Sequence, residues 1–298
     1  MEIKKNYKAF GQTVSSDLDF SDMLCPSDES PDIKIVSGLV DERTDWDKSK
    51  VFRKGLQAEV ASNAQDCFVH WPGLLRAQIK EGNQIVYTHL GDSIHTLKLF
   101  LLSEIIGISL LQKGLYLLHG SAVFIKDRAH VFVGEPGAGK STTAAAFWQA
   151  GFPILTDDLV ALHFEEKQIQ VFPGFPQFKI WKNTVEGLKI DESILRPSFE
   201  GQEKFLVSQH FETFPNTPIP LAGIHMLNHE KTAQIDRIQA STEMLKHYPL
   251  PHQTLSGPNL KAHFERSSLL AQGEFLRFLK RPNGFENLKQ FCDEFAAQ

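Results

Sequence analysis

Short runs of β-branched and aromatic residues dominate the first third of the chain. Ile33-Lys34-Ile35-Val36 and Gln84-Ile85-Val86-Tyr87 are bounded by turn residues and predict strands, as do Cys67–Trp71 and Ala77–Ile79. Ser27–Pro31 is polar and predicts a loop. Residues 1–92 therefore form a β-rich N-terminal module, and residues 93–298 hold the rest. The pattern then changes. Ile94–Lys113 is rich in Leu and Ile and predicts one long helix, with Gly114 at its C-terminal end. Its most apolar part, Leu97–Leu111, is interrupted by Lys98 and Glu104. It is also shorter than the roughly 20 residues a bilayer requires, so it reads as a buried helix without a membrane role.

Alternation returns in Ser121–Ile125 and His130–Val133, on either side of the polar Lys126-Asp127-Arg128-Ala129, and predicts a hairpin. A glycine-rich turn, an alanine-rich helix over Lys140–Ala150 closed by Gly151, and a strand over Phe152–Thr156 follow. Val160–Phe164 and Gln168–Phe172 predict a second hairpin, and Pro215, Pro218 and Pro220 mark a loop before Ile224–Leu227. Helical segments are expected over Pro258–Leu279 and Phe285–Phe295, separated by Pro282-Asn283-Gly284.

Composition narrows the function. The 298 residues are 42% hydrophobic with a net charge of −5, ordinary for a globular chain and without the basic footprint of a nucleic-acid binder. Cys25, Cys67 and Cys292 are odd in number and widely spaced. They suggest neither a disulfide framework nor a zinc site, and a cytoplasmic setting is expected. The N-terminus lacks the apolar stretch of a signal peptide.

One motif carries most of the chemistry. Gly134-Glu135-Pro136-Gly137-Ala138-Gly139-Lys140-Ser141 fits GxxxxGK[ST], with a strand before it and a helix after it. Glycines let the backbone turn its N–H groups toward phosphate oxygens, and the helix N-terminus adds positive potential. Gly134 to Thr142 should therefore cradle a nucleoside triphosphate, with Lys140 on the β- and γ-phosphates and Ser141 on Mg²⁺. Roughly 0.01 chance matches are expected in a chain of ordinary composition.

Spacing then brings Asp157 and Asp158 to the same level. The helix leads about 16 Å away at 1.5 Å per residue, and the strand returns about 16 Å at 3.3 Å per residue. One carboxylate could serve Mg²⁺ and the other accept a proton from an attacking hydroxyl; alternatively Asp158 merely begins a turn. A hairpin turning between Asp127 and Arg128 would set His119 opposite Pro136, where it either contacts phosphate or is structural. Lys204 and Arg196 are candidates for the further cation that offsets charge on a transferring group.

Leu118-His119-Gly120-Ser121-Ala122-Val123, the loop Gly134–Ser141, and Gly151-Phe152-Pro153-Ile154-Leu155-Thr156-Asp157-Asp158 together resemble the core of HPr kinase/phosphorylase. The resemblance covers about Leu115–Leu162. It implies an α/β fold, a P-loop kinase core of the HPr kinase and phosphoenolpyruvate carboxykinase type, with the β-rich module as a smaller addition. It also implies phosphoryl transfer to serine; ATP or another nucleoside triphosphate, Mg²⁺ and a homo-oligomer are expected. In that scheme Asp157 is the proton acceptor, Asp158 serves magnesium or holds the loop, and His119 contacts phosphate.

More narrowly, Phe172-Pro173-Gly174-Phe175-Pro176, Phe178-Lys179-Ile180-Trp181 and Leu279-Lys280-Arg281-Pro282 are similar to HPr-kinase-related proteins of ribosomal and lasso peptide pathways. The Glu-Ile-Arg-Gly stretch of HPr kinases is absent, with Phe178–Trp181 in its region, so the resemblance does not extend to HPr as acceptor or to a reverse phosphorylase reaction. The expected function is an ATP/Mg²⁺-dependent kinase acting on a serine or terminal hydroxyl of a peptide or small protein. The N-terminal module would help recognise the acceptor, and Phe175, Phe178 and Trp181 would grip it unless they belong to the core. A small-molecule hydroxyl kinase and a nucleotide-binding regulatory protein are the rival readings.

Overall fold

The computed structural model describes residues 5–53, 55–62, 66–166, 168–198, 201–227 and 237–298. Among the described residues the strands form sheets of nine, eight and three strands.

The first sheet grows from simple alternation. In Leu75–Lys80, Leu75, Ala77 and Ile79 are buried while Arg76, Gln78 and Lys80 are partly exposed, as a two-residue period demands when one face is covered. The strands are β1 (Lys5–Ala9), β2 (Gln12–Ser16), β3 (Cys25–Pro26), β4 (Ile33–Ser37), β5 (Asp47–Arg53), β6 (Leu56–Ser62), β7 (Asp66–Trp71), β8 (Leu75–Lys80) and β9 (Gln84–His89). Their order is β3-β1-β2-β4-β9-β8-β7-β6-β5. β4 pairs in parallel with β2 and with β9, and the other pairs are antiparallel. Phe10 and Gly11 turn β1 into β2 at φ of 51° and 66°, the left-handed conformation of a two-residue hairpin. A Cβ on Gly11 would come within 2.7 Å of the Phe172 ring, so this turn is seated against the second half of the chain.

The inner face of this sheet is covered by α1 (Ile94–Phe100), which passes through a π-helical turn (Leu101–Ile105) into α2 (Ile106–Gln112). Ser93 caps the start through the Thr96 N–H, and Gly114 follows the end at φ 82°. The stretch Ile94–Gln112 is long and apolar enough to cross a bilayer, yet 78% of its apolar window is buried inside the fold. One apolar cluster joins Tyr7, Phe10, Ile35, Ile79 and Ile85 of the sheet to Leu97, Phe100 and Ile105 of the helix, and continues to Leu159, Phe172 and Leu206.

The second sheet holds β10 (Tyr116–Leu118), β11 (Ser121–Ile125), β12 (Arg128–Val133), β13 (Ile154–Thr156), β14 (Val160–Phe164), β15 (Ile169–Phe172), β19 (Ile219–Leu227) and β20 (Leu276–Leu279). Its order is β10-β14-β15-β19-β12-β11-β13, with β20 beside β19. The third sheet is β16 (Gln177–Trp181), β18 (Gly201–Ser208) and β17 (Leu195–Ser198). The remaining α-helices are α3 (Lys140–Gln149), α4 (Lys182–Leu188), α5 (Arg237–Lys246), α6 (Gly257–Gln272) and α7 (Leu288–Ala297). A second apolar cluster, with Phe132, Phe147, Phe178, Val185, Leu288 and Cys292, packs α3 and α7 onto the sheets.

Three expectations need correction. The β11–β12 hairpin turns at Lys126 and Asp127, both at positive φ, with Ile125 opposite Arg128. This two-residue turn lies one residue earlier and shifts the register by two, and the continuation puts His119 level with Gly134 rather than Pro136. The strand expected from Phe152 begins at Ile154, because the Pro153 carbonyl instead accepts from Phe124 N outside the ladder. The helix expected to reach Leu279 ends at Gln272. After Gly273 the chain becomes β20, where Leu276–Leu279 fill an edge position parallel to β19.

Candidate functional site

The site assembles where β12 ends and α3 begins. Gly137 and Gly139 adopt φ of 83° and 90°, which only glycine takes without strain. They bend Gly134–Ser141 around the N-terminus of α3. Lys140 is 8% exposed, and its Nζ donates to the carbonyls of Gly134 at 2.9 Å and Glu135 at 3.3 Å. Burial lowers its proton affinity, while the charges of Asp158, Asp157 and Glu135 work to raise it.

β13 carries Asp157 to this place by an indirect route. It pairs with β11, which lies between it and β12, so the strand bearing the carboxylates runs with β12 without touching it. The inserted β11 supplies Ser121, whose hydroxyl donates to Asp157 Oδ1 at 2.7 Å. Ser141 donates to the same oxygen at 3.1 Å, and the backbone N–H of Lys179 reaches Oδ2 at 3.2 Å. Burial and the neighbouring Asp158 carboxylate push Asp157 up to about 6, against the hydrogen bond from Ser121 and the charge of Lys179.

Asp158 has a separate environment. Its backbone is left-handed at φ 65°, uncommon for a side chain and a form of strain found at functional positions. Lys179 Nζ pairs with its Oδ2 at 3.0 Å. Its carbonyl oxygen lies 3.1 Å from His119 Nδ1; a carbonyl can only accept, so Nδ1 carries the proton. The His119 backbone N–H is held by the His247 carbonyl at 2.5 Å.

These groups open onto a cleft of about 590 Å³ lined by His119, Pro136, Gly137, Gly139, Lys140, Ser141, Thr142, Asp158, Trp181, Asn183 and Lys204. The sequence-derived residues divide accordingly. His119, Asp158, Lys204 and the loop from Pro136 to Thr142, apart from Ala138, face the cleft. Gly134, Glu135 and Ala138 line the other side of the loop, with His247. Asp157 sits behind Ser141 and borders a narrow apolar cavity of about 40 Å³, whose walls include Phe10, Leu99, Leu102, Phe175 and Leu206. The core shared by the first sheet and its helix thus desolvates the carboxylate. Thr142 presents its hydroxyl to Thr184 on α4 at 2.9 Å.

Arg196 does not join the cleft. It is exposed on β17, opposite Leu206 and on the strand edge. The aromatic trio separates as well. Phe178 is 2% exposed and packs on Trp148, so it belongs to the core. Phe175 is half-buried against Phe10. Trp181 remains 48% exposed on the cleft wall, with Lys204 Nζ 4.5 Å from its ring centroid.

Lys179 and Ser121 join the site without belonging to the expected set, and a two-residue period is the signal that finds them. Lys179 and Trp181 share one face of β16 while Phe178 and Ile180 are buried on the other, and Ser121 lies two residues beyond His119.

No protein-family model matches the chain, and no curated protein matches it. Among solved structures, the Hpr(Ser) kinase/phosphatase from Coxiella burnetii aligns with 41% of this chain and 71% of that one, at 15% identity and a TM-score of 0.27. That similarity assigns neither a fold nor an activity.

Proposed function

We propose that the protein is an ATP- and Mg²⁺-dependent kinase that transfers the γ-phosphoryl group to a serine or terminal hydroxyl of a peptide or small protein. One observation carries this reading: the hydroxyl of Ser141, at the second position of α3, is hydrogen-bonded to the carboxylate of Asp157. Glycine-rich loop, helix N-terminus and paired aspartates therefore converge on one place.

The residues fit the groups they would hold. Loop N–H groups and Lys140 suit a polyphosphate. A serine hydroxyl beside carboxylates is the hard oxygen set that Mg²⁺ prefers. Ser141 can donate its proton to Asp157 while its lone pairs remain for the cation, and Asp158, fixed by Lys179, adds a carboxylate on the cleft wall. Mg²⁺, when bound, would offset charge on the phosphate oxygens. Asp157 takes the proton of the acceptor hydroxyl, a role supported by its raised proton affinity near the working pH of a general base. His119 and Lys204 reach the transferring group from the cleft wall. Trp181 offers exposed aromatic area to the residues flanking the acceptor.

The test is transfer of label from γ-labelled ATP to serine-containing peptides in the presence of Mg²⁺, with Lys140→Ala alongside. Label on a peptide serine that disappears in Lys140→Ala is the expected result. Transfer to free serine or a sugar with no response to peptides would move the acceptor to the small-molecule class. Tight nucleotide binding without any transfer would leave a regulatory protein.

A further inference from the structure

Arg281 lies just beyond β20, far in sequence from the glycine-rich loop, yet its guanidinium is packed against that loop. A Cβ built on Gly139 would come within 3.0 Å of Arg281 Nη1 and 3.1 Å of its Cζ. Gly139 is thus constrained twice, by its φ of 90° and by the space the arginine occupies.

The guanidinium is also incompletely satisfied. Nε and Nη1 are both buried and have no hydrogen-bond partner among the described residues. Burial pulls its proton affinity down, and no carboxylate among the described residues acts in the other direction. A lysine in this position could lose its proton, but a guanidinium stays charged. An unpaired, desolvated cation is costly unless something supplies the missing charge. Nε and Nη1 lie on different edges of the planar group, because Nη1 is the terminal nitrogen on the Cδ side, so each offers a separate N–H donor to an oxyanion.

The loop beside it has the same requirement. Its glycine-bent N–H groups and the start of α3 form an anion-binding concavity. We propose that Arg281 is a phosphate-binding residue, which engages the phosphate chain of the nucleotide from the Gly139 side of the loop, while Lys204 stands on the Trp181 wall of the cleft. This rests on the nucleotide reading above and adds a further cation to Lys140 and Lys204. It also gives the segment joining β20 to α7 a direct interest in whether the site is occupied, since Arg281 lies between them.

Calorimetric titration with Mg·ATP and with tripolyphosphate tests it on wild type, Arg281→Gln, Arg281→Lys and Lys140→Ala. Arg281→Gln is expected to weaken both ligands at least tenfold and to shrink the rise in melting temperature that ATP produces. Its own ligand-free melting temperature should not fall, because a buried unpaired charge has been removed. Arg281→Lys should recover only part of the affinity, having charge without the fixed donors of the guanidinium. The proposal is overturned if Arg281→Gln binds both ligands like wild type while Lys140→Ala loses them. If wild type binds neither ligand, the nucleotide reading itself fails. Should Arg281→Gln not fold, wild-type affinity in Arg281→Lys overturns the guanidinium contact equally.

Discussion

Two adjacent aspartates differ here because their surroundings differ. Asp157 accepts from Ser121, Ser141 and the Lys179 N–H in an apolar corner, whereas Asp158 is ion-paired and faces the cleft. Replacing Asp157 with Asn keeps its shape and removes its basicity. Phosphoryl transfer should fall by about 10²- to 10⁴-fold with nucleotide affinity close to wild type. The rate should also rise with pH through about 6 as Asp157 loses its proton, and this limb should vanish in the variant. Asp158→Asn should instead raise the Mg²⁺ concentration needed for half-maximal rate. If the two variants exchange these phenotypes, the proton and metal roles are reversed.

At the scale of elements, β16 separates function from packing by alternation. Phe178 is core and Trp181 is cleft wall. Phe178→Ala should cost about 3–5 kcal/mol of stability, as large-to-small changes at buried aromatic positions do. Trp181→Ala should raise the acceptor KM with ATP affinity and melting temperature nearly unchanged; a drop in stability alone would return Trp181 to a packing role. The contact of α7 with the second sheet contains another testable feature. His130 of β12 and His225 of β19 stack, with Nδ1 and Nε2 3.1 Å apart, and Phe295 of α7 packs edge-on against both. Burial, with Arg277 nearby, lowers His130 to about 4 and, with His130 also contributing, lowers His225 to about 3; Arg128 adds to the effect on His130. Unfolded histidine titrates near 6.5, so between about 6.5 and 4 the unfolded chain binds more protons than the folded one. Stability should therefore fall with decreasing pH across that window, by at most about 1.4 kcal/mol per pH unit for each histidine. Asp157 opposes this, because its raised value favours the folded state at low pH and that contribution is lost as pH rises through about 6. Denaturant melts of the double variant His130→Phe/His225→Phe should show a flatter acid limb than wild type.

Across the whole molecule, the nine-stranded sheet is tied to the site through shared packing. Phe10 and Leu99 help wall the cavity behind Asp157, and the cluster that holds Ile35 and Ile79 also holds Leu159, Phe172 and Leu206. A chain beginning at Gly91 would expose the buried face of α1 and α2, so it should lose its cooperative melting transition by circular dichroism. A folded truncation that binds ATP normally but shows a raised acceptor KM would instead support a separable recognition module. What the sequence determined by itself was local. The turn chemistry of Gly134–Ser141, the capped helices and the alternating strands follow from φ/ψ preferences and periodicity, which act over a few residues. Asp157 and Asp158 could be brought to phosphate level because a helix and a strand of known rise must cancel. The tertiary structure decided which distant residues complete the site. The insertion of β11 beside β13 supplied Ser121, the third sheet supplied Lys179 and Trp181, and the turn after β20 brought Arg281 to Gly139. No local propensity encodes those meetings: strand order and sheet-to-sheet packing arise from burying all the apolar faces at once, so Gly139 and Arg281, 142 positions apart, become neighbours only in the folded whole.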